Sequence, residues 1–352
     1  MQKPTGARFH TQTLLAVSIG AALLFLSATT ASSNHVHMHG GPFIGVVLCV
    51  AVDPSDPATL YTAAHGGGVF RSTDWGESWI AINQGLPNRQ VFSLLLHPKQ
   101  PGKLYVGTDQ GIYYSTDKGS SWHPLASVLE KRNVRFLATD PRDRDILYAA
   151  TDQGVFSGKG NQWRLLSSGL SNKDVRTLVL SPLGTLFAGT FGGVYRKEKS
   201  LNKWMAVNRS LTDRRVRALA IESSQPDVLY AGTATGGVFR TTNGGKTWEE
   251  FNRGLLNSTV LSLIWVPFPD RALYAGTVDG VFMSQGGINQ WLPIGHEFDL
   301  TVAAMAFDPM EPQRLYAGSG GRLYKSADAG KRWVEIGQRI NYFGPASLST
   351  KQ

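Results

Sequence analysis

The sequence predicts an all-β chain: a single seven-bladed β-propeller with four antiparallel strands per blade. Three observations carry that reading. A segment opening on valine recurs at Val47, Val91, Val134, Val175, Val216, Val260 and Val302, at intervals of 41 to 44 residues, the length of one propeller blade. A tryptophan stands at one phase of every segment, as Trp79, Trp122, Trp163, Trp204, Trp248, Trp291 and Trp333. The composition, with 39 glycines and 17% charged residues, suits many short strands joined by tight turns.

Within each repeat the strands follow in order. The first is an apolar run such as Val47-Leu48-Cys49-Val50 or Val216-Arg217-Ala218-Leu219, and several of these runs stop at an X-Pro pair such as Asp53-Pro54, His97-Pro98 or Asp140-Pro141. The second has Leu-Tyr-Ala-Gly-Thr as its commonest wording, as at 229–233 and 273–277, and a glycine turn leads into a third such as Gly154-Val155-Phe156. β-Branched and aromatic residues between glycine turns are strand chemistry.

The hairpin into the fourth strand is the most specific element. Residues 72–79, 115–122 and 326–333 all fit Ser-x-Asp-x-Gly-x-x-Trp, built on Asp74 and Trp79, Asp117 and Trp122, and Asp328 and Trp333. The carboxylate accepts hydrogen bonds from the turn's N–H groups, the glycine takes a positive φ, and the tryptophan covers the turn with a large apolar face. Blade five keeps Asn243 and Trp248, whereas blades three, four and six keep the tryptophan and lose the acid. A Gly-Leu pair six residues after the tryptophan (85–86, 169–170, 254–255) turns the chain towards the next blade. Sequence repeat and blade coincide, so ring closure requires no strand swap, although 40–46 or 338–352 could reinforce the seam.

Residues 1–31 read as a secretory signal peptide: Lys3 and Arg8 precede an apolar run from Leu14 to Leu26, and small residues lead to Ala31. The run is short for a spanning helix, which needs about 20 residues. Cleavage after Ala31 is expected, with an uncleaved anchor as the alternative, and either places the protein in the periplasm or outside the cell. Residues 32–46 then form a short N-terminal segment, 47–337 the propeller and 338–352 a C-terminal tail. With Cys49 as the single cysteine no internal disulfide exists, so stability must come from core packing. Cys49 shares its phase with Ser93, Thr177, Ala218, Ser262 and Ala304 and is expected to be buried and inert. The formal charge of +9, about +7 without the leader, favours acidic partners.

These residues resemble the Asp-box (BNR-like) propeller superfamily over about 47–337. Three relatives bear on function. The photosystem II assembly-factor type implies an exported, non-enzymatic seven-bladed propeller with an arginine-rich patch. The xyloglucanase type, whose blades read much like 53–74 here, implies two propellers clamping a glucan, and this sequence contains one set of blades. Sialidases are six-bladed and carry an Arg-Ile-Pro motif that is absent here.

Fold wording does not transfer activity, so function must be sought in a site. The loops joining strand four to the next strand one, and strand two to strand three, share one face, opposite the hairpins with the acids. On that face stand Arg89, then Lys131, Arg132 and Arg135, then Lys173 and Arg176, then Arg214, Arg215 and Arg217. Arg135, Arg176 and Arg217 follow the opening valine in three consecutive blades, where blades one, six and seven have Leu48, Leu261 and Ala303. The expectation is a basic patch over blades two to five, suited to bidentate capture of carboxylate or phosphate and partly neutralised by Asp174 and Asp213. The competing reading is a solvated or salt-bridged surface residue propagated by repeat copying. Catalytic acids would have to come from Asp109, Asp152 and Asp279, which are also ordinary turn residues. His35, His37 and His39 read as a flexible tail, and no metal or cofactor is expected.

The sequence therefore points to an exported, non-catalytic binding scaffold, an assembly or stability factor that presents an arginine-rich face. The partner is an acidic protein segment or other anionic ligand. Nucleic acid is disfavoured by export, membrane contact comes only through an uncleaved anchor or a membrane-protein partner, and a monomer is expected. The alternative is a carbohydrate-active propeller, either a xyloglucanase-like glycoside hydrolase or a glycan-binding module.

Overall fold

The computed structural model describes residues 45–198, 200–267, 271–295, 301–337 and 339–341. Residues 1–31, expected to be a signal peptide, and the histidines at 35, 37 and 39 lie outside the described residues. No helix among the described residues is long and apolar enough to cross a membrane.

The chain forms seven antiparallel sheets, each built from four consecutive strands. In blade one these are Val47–Val52, Leu60–Ala64, Gly68–Ser72 and Ser78–Ala81. Every innermost strand begins at an expected valine: Val91–Leu96, Val134–Thr139, Val175–Leu180, Val216–Ile221, Val260–Val266 and Val302–Phe307 complete the set. Each innermost strand meets those of both neighbouring blades, so the seven surround a common axis. The outermost strands shrink to two residues in blades two, four and five. Short outer edges of this kind limit edge-to-edge association.

Among the described residues, each blade, blades one and seven at the seam included, is built on its own four consecutive strands. Residues 339–341, just beyond the propeller boundary placed at 337, pair in parallel with 78–80 and give blade one a fifth strand. Trp75 of blade one sits beneath two cations of blade seven, with the Arg314 guanidinium 4.1 Å and the Lys325 ammonium 5.6 Å from its ring centroid. Cation–π contacts of this kind add to the strand pairing at the closing joint.

The three full hairpin boxes are built alike. In blade one the Ser72 hydroxyl donates to Asp74 Oδ1 (2.7 Å) and accepts from the Gly76 N–H (2.9 Å). Asp74 also accepts from the Ser78 N–H (3.0 Å) and hydroxyl (2.5 Å). The residue before the box glycine is itself left-handed, with φ of 62° at Trp75, 59° at Lys118 and 61° at Ala329. In blade five, Asn243 Oδ1 accepts from the Thr241 hydroxyl and Thr247 N–H, and its amide donates to the Thr247 hydroxyl.

Partial burial alone would raise the Asp117 carboxyl, but hydrogen bonds from Ser115 and Ser121 outweigh it and bring it from 3.8 to about 2. A folded-state value below the unfolded one stabilises above pH 3.8 and is lost as pH falls towards 2. Urea midpoints measured across that window should fall with acidification in the wild type. The fall should be shallower in Asp117→Asn, whose box would resemble that of blade five.

The tryptophans do more than cover their turns. The Trp122 indole N–H donates to Ile82 O (2.7 Å) and its backbone N–H to Gln84 O (2.9 Å), both in the chain leaving the preceding blade. Trp204, Trp248 and Trp291 repeat this double bond to Leu166 and Ser168, Val207 and Arg209, and Phe251 and Arg253. The Gly-Leu pair makes room for it: a Cβ at Gly85, Gly169 or Gly254 would lie 2.2–2.5 Å from the carbonyl oxygen of Trp122, Trp204 or Trp291. Trp79 and half-buried Trp163 instead donate their indole N–H within their own hairpins, to Gly76 O and Gly160 O. Cys49 is buried, its thiol donating to Phe92 O (3.2 Å), and burial pushes it up to about 12.

Candidate functional site

Immediately after its opening valine, every innermost strand carries a bulge. One residue there has no partner on the second strand, and bulges re-aim such side chains. Around the axis the bulged residues are Leu48, Phe92, Arg135, Arg176, Arg217, Leu261 and Ala303. Leu48, Phe92 and Ala303 belong to one apolar cluster, and His65 stacks on Phe92 with ring centroids 5.8 Å apart. One side of this end of the axis is therefore apolar, and the other carries three arginines from consecutive blades.

The arginines are packed side by side. Asp174 lies between the first two, accepting from Arg135 Nε at 3.0 Å and from an Arg176 terminal nitrogen at 2.6 Å. Phe191, in the turn between the second and third strands of blade four, receives Arg176 on its ring at 4.4 Å and Arg217 at 5.6 Å. Arg176 has a side chain 10% exposed, and Arg217 is 7% exposed. Nε and Nη1 of both residues are buried without a hydrogen-bond partner among the described residues. Burial, then the neighbouring charge of Arg135, lowers the Arg176 guanidinium below its ordinary value against the opposing effect of Asp174. Burial, then Arg176 and Arg215, lower Arg217. Arg135 and Arg176 thus share one carboxylate, the charge of Asp213 opposes the lowering of Arg217, and the three guanidinium groups form an arc with unused donors.

The other basic residues do not join this packed group. Arg215 is held by Asp213 (3.0 Å) and Thr235. Burial would raise the Asp213 carboxyl, but the hydrogen bonds from Arg215 and Thr235 bring it to about 2. Arg132 donates to Val128 O (3.1 Å) and to Gln153, and lies over the Phe156 ring at 5.4 Å. Arg89, Lys131, Lys173 and Arg214 are exposed on the loops entering blades two, three, four and five. Phe191 was not anticipated, although it occupies the turn position held by His65, Asp109 and Asp152 in blades one to three.

The three candidate acids are tied into loop structure. Asp109, Asp152 and Asp279 each accept from an asparagine of the loop entering their blade: Asn88 at 2.8 Å, Asn133 at 2.8 Å and Asn257 at 2.7 Å. No group of three His, Cys, Asp or Glu side chains among the described residues could hold a metal ion.

Fold and hairpins together define the class: this is a seven-bladed β-propeller in which three blades keep full Asp-box turns. The Sortilin-Vps10 family profile (sortilin, neurotensin receptor 3) matches residues 67–178, less than half of the chain. No curated protein matches the chain in sequence. Among solved structures, the chain is similar to an ancestral GH74 enzyme, with 20% identity and a TM-score of 0.71. That match covers 84% of this chain and 46% of the enzyme. YCF48 bound to D1 peptide is 17% identical with a TM-score of 0.62, over 81% of this chain and 94% of that one. YCF48 from Cyanidioschyzon merolae is 16% identical with a TM-score of 0.62, over 82% and 97%. At such identities the likeness is one of fold.

Proposed function

We propose that the protein is an exported, non-catalytic scaffold whose arginine arc binds an acidic segment of a protein partner. Its most concrete form is an assembly or stability factor for a complex of the cell envelope. The observation that carries this reading is the set of buried, unpartnered Nε and Nη1 groups on Arg176 and Arg217. Leaving such donors unsatisfied is costly to the fold, and a carboxylate oxygen can accept from them. Phe191 adds an apolar surface beside the cations, and the exposed Arg89, Lys131, Lys173 and Arg214 supply longer-range attraction. A YCF48 propeller of similar extent has been solved with a D1 peptide, which makes a peptide ligand a reasonable first probe.

The test is a pull-down with the mature protein from its own cell envelope, compared with the triple variant Arg135→Glu, Arg176→Glu, Arg217→Glu. A partner retained by the wild type should be lost from the variant. Each reversed arginine should weaken binding by about tenfold or more, and added salt should weaken the wild-type interaction. Equal capture by both proteins would remove the arc from the function. Hydrolysis of a β-glucan by the wild type would favour the carbohydrate-active alternative.

A further inference from the structure

On the opposite face, between blades three and four, lies a groove of about 340 Å3 lined in part by Arg142, Tyr148, Arg164, Leu186, Lys197 and Asn202. It coincides with the place where two neighbouring hairpin boxes have decayed. In the strand register, the box serine is the residue opposite the first leucine of the second strand, as in Leu60↔Ser72, Leu104↔Ser115 and Leu315↔Ser326. The same pairing puts Gly158 opposite Leu147 in blade three and Lys197 opposite Leu186 in blade four. The box acid has gone from both blades in the sequence. A lysine has thus replaced a hydroxyl at a position that is buried in the intact boxes.

Lys197 is 7% exposed, and its ammonium donates to the backbone carbonyl of Leu201. No carboxylate among the described residues forms an ion pair with it. Arg164, exposed on the outer strand of blade three, is the nearby charge that acts on it, and burial followed by that repulsion lowers Lys197 below its ordinary value. The acids lining the groove are already engaged: Asp140 by Arg142 at 2.9 Å, and Asp143 by Lys159 at 3.3 Å. Two cations therefore share a concave space with no counter-charge of their own. A buried ammonium with one neutral partner is costly unless an anion completes it.

We infer that the groove between blades three and four is a binding site for a small ligand carrying a carboxylate or phosphate, held by Lys197 and Arg164. The volume is at the lower end of small-molecule pockets, which fits a single anionic group with a compact body. Lys197 supplies the buried point charge, Arg164 the fork at the entrance, and the Asn202 amide a neutral hydrogen-bonding group.

The test is calorimetric titration of the purified protein with inorganic phosphate and, separately, glucuronate, at constant ionic strength. Saturable binding of either probe is expected, and whichever binds more tightly identifies the anionic group. Lys197→Ser, which restores the residue of the intact boxes, and Arg164→Gln should each weaken that binding by about tenfold. Should Lys197→Ser fold poorly, the exposed Arg164 keeps the test intact. Arg217→Leu, on the other face, should leave it unchanged, so this site and the arginine arc can fail separately. No binding of either probe, or equal affinity in the Arg164→Gln variant, would overturn the assignment.

Discussion

Trp291→Ala is expected to lower the free energy of unfolding by about 3–5 kcal/mol, read as a reduced urea midpoint. Trp291 is 1% exposed and packs edge-on to Phe251 with ring centroids 6.0 Å apart. Its indole N–H donates to Phe251 O at 2.6 Å, so truncation both opens a cavity and orphans a buried carbonyl at the joint between blades five and six. Trp163 provides the internal control. It is half-buried, and its indole bond stays within its own hairpin at Gly160 O (2.8 Å). Trp163→Ala should therefore cost only about 1–2 kcal/mol. Equal losses in the two variants would mean that the bonds between blades do not account for the tryptophan repeat.

The second large effect is opposite in sign for stability and for binding. Arg217→Leu places at the bulge of blade five the residue found there in blades one and six, Leu48 and Leu261. It removes a buried guanidinium with unpartnered Nε and Nη1, together with its repulsion from Arg176 and Arg215. It also removes the contact with Phe191 at 5.6 Å, worth about 2 kcal/mol at a desolvated site. The uncompensated charge outweighs that contact, so the variant should be more stable by about 1 kcal/mol while losing about tenfold in affinity for an acidic peptide. Paired urea titration and calorimetry would show both changes. A destabilised variant would identify Arg217 as a structural residue.

How much was legible in the sequence follows from what a repeat encodes. The opening valines mark the first residue of every innermost strand because the bulge that follows imposes the same local geometry in each blade. The box residues were likewise readable, since Ser72, Asp74 and Gly76 interact within one short hairpin. Contacts between blades were not. That Trp122 bonds to Ile82, 40 residues earlier, depends on how neighbouring sheets face each other. The arginine phase was visible, but not the depth of Arg176 and Arg217, nor the support of Phe191, because a phase gives a position and not its surroundings. The pairing of 339–341 with 78–80 had no sequence signal beyond its place at the end of the last repeat. Lys197 escaped notice because the decay of a box reads as a loss, and only the register shows that a charge was gained there.

The most direct measurement for the arc is the NMR signal of the Arg176 and Arg217 Nε–H groups during titration with a short acidic peptide. These donors have no hydrogen-bond partner among the described residues. Engagement by a carboxylate should shift both signals saturably, and in step with peptide signals, with midpoints that rise as salt is added. Peptide binding that leaves both Nε–H signals unmoved would contradict the account.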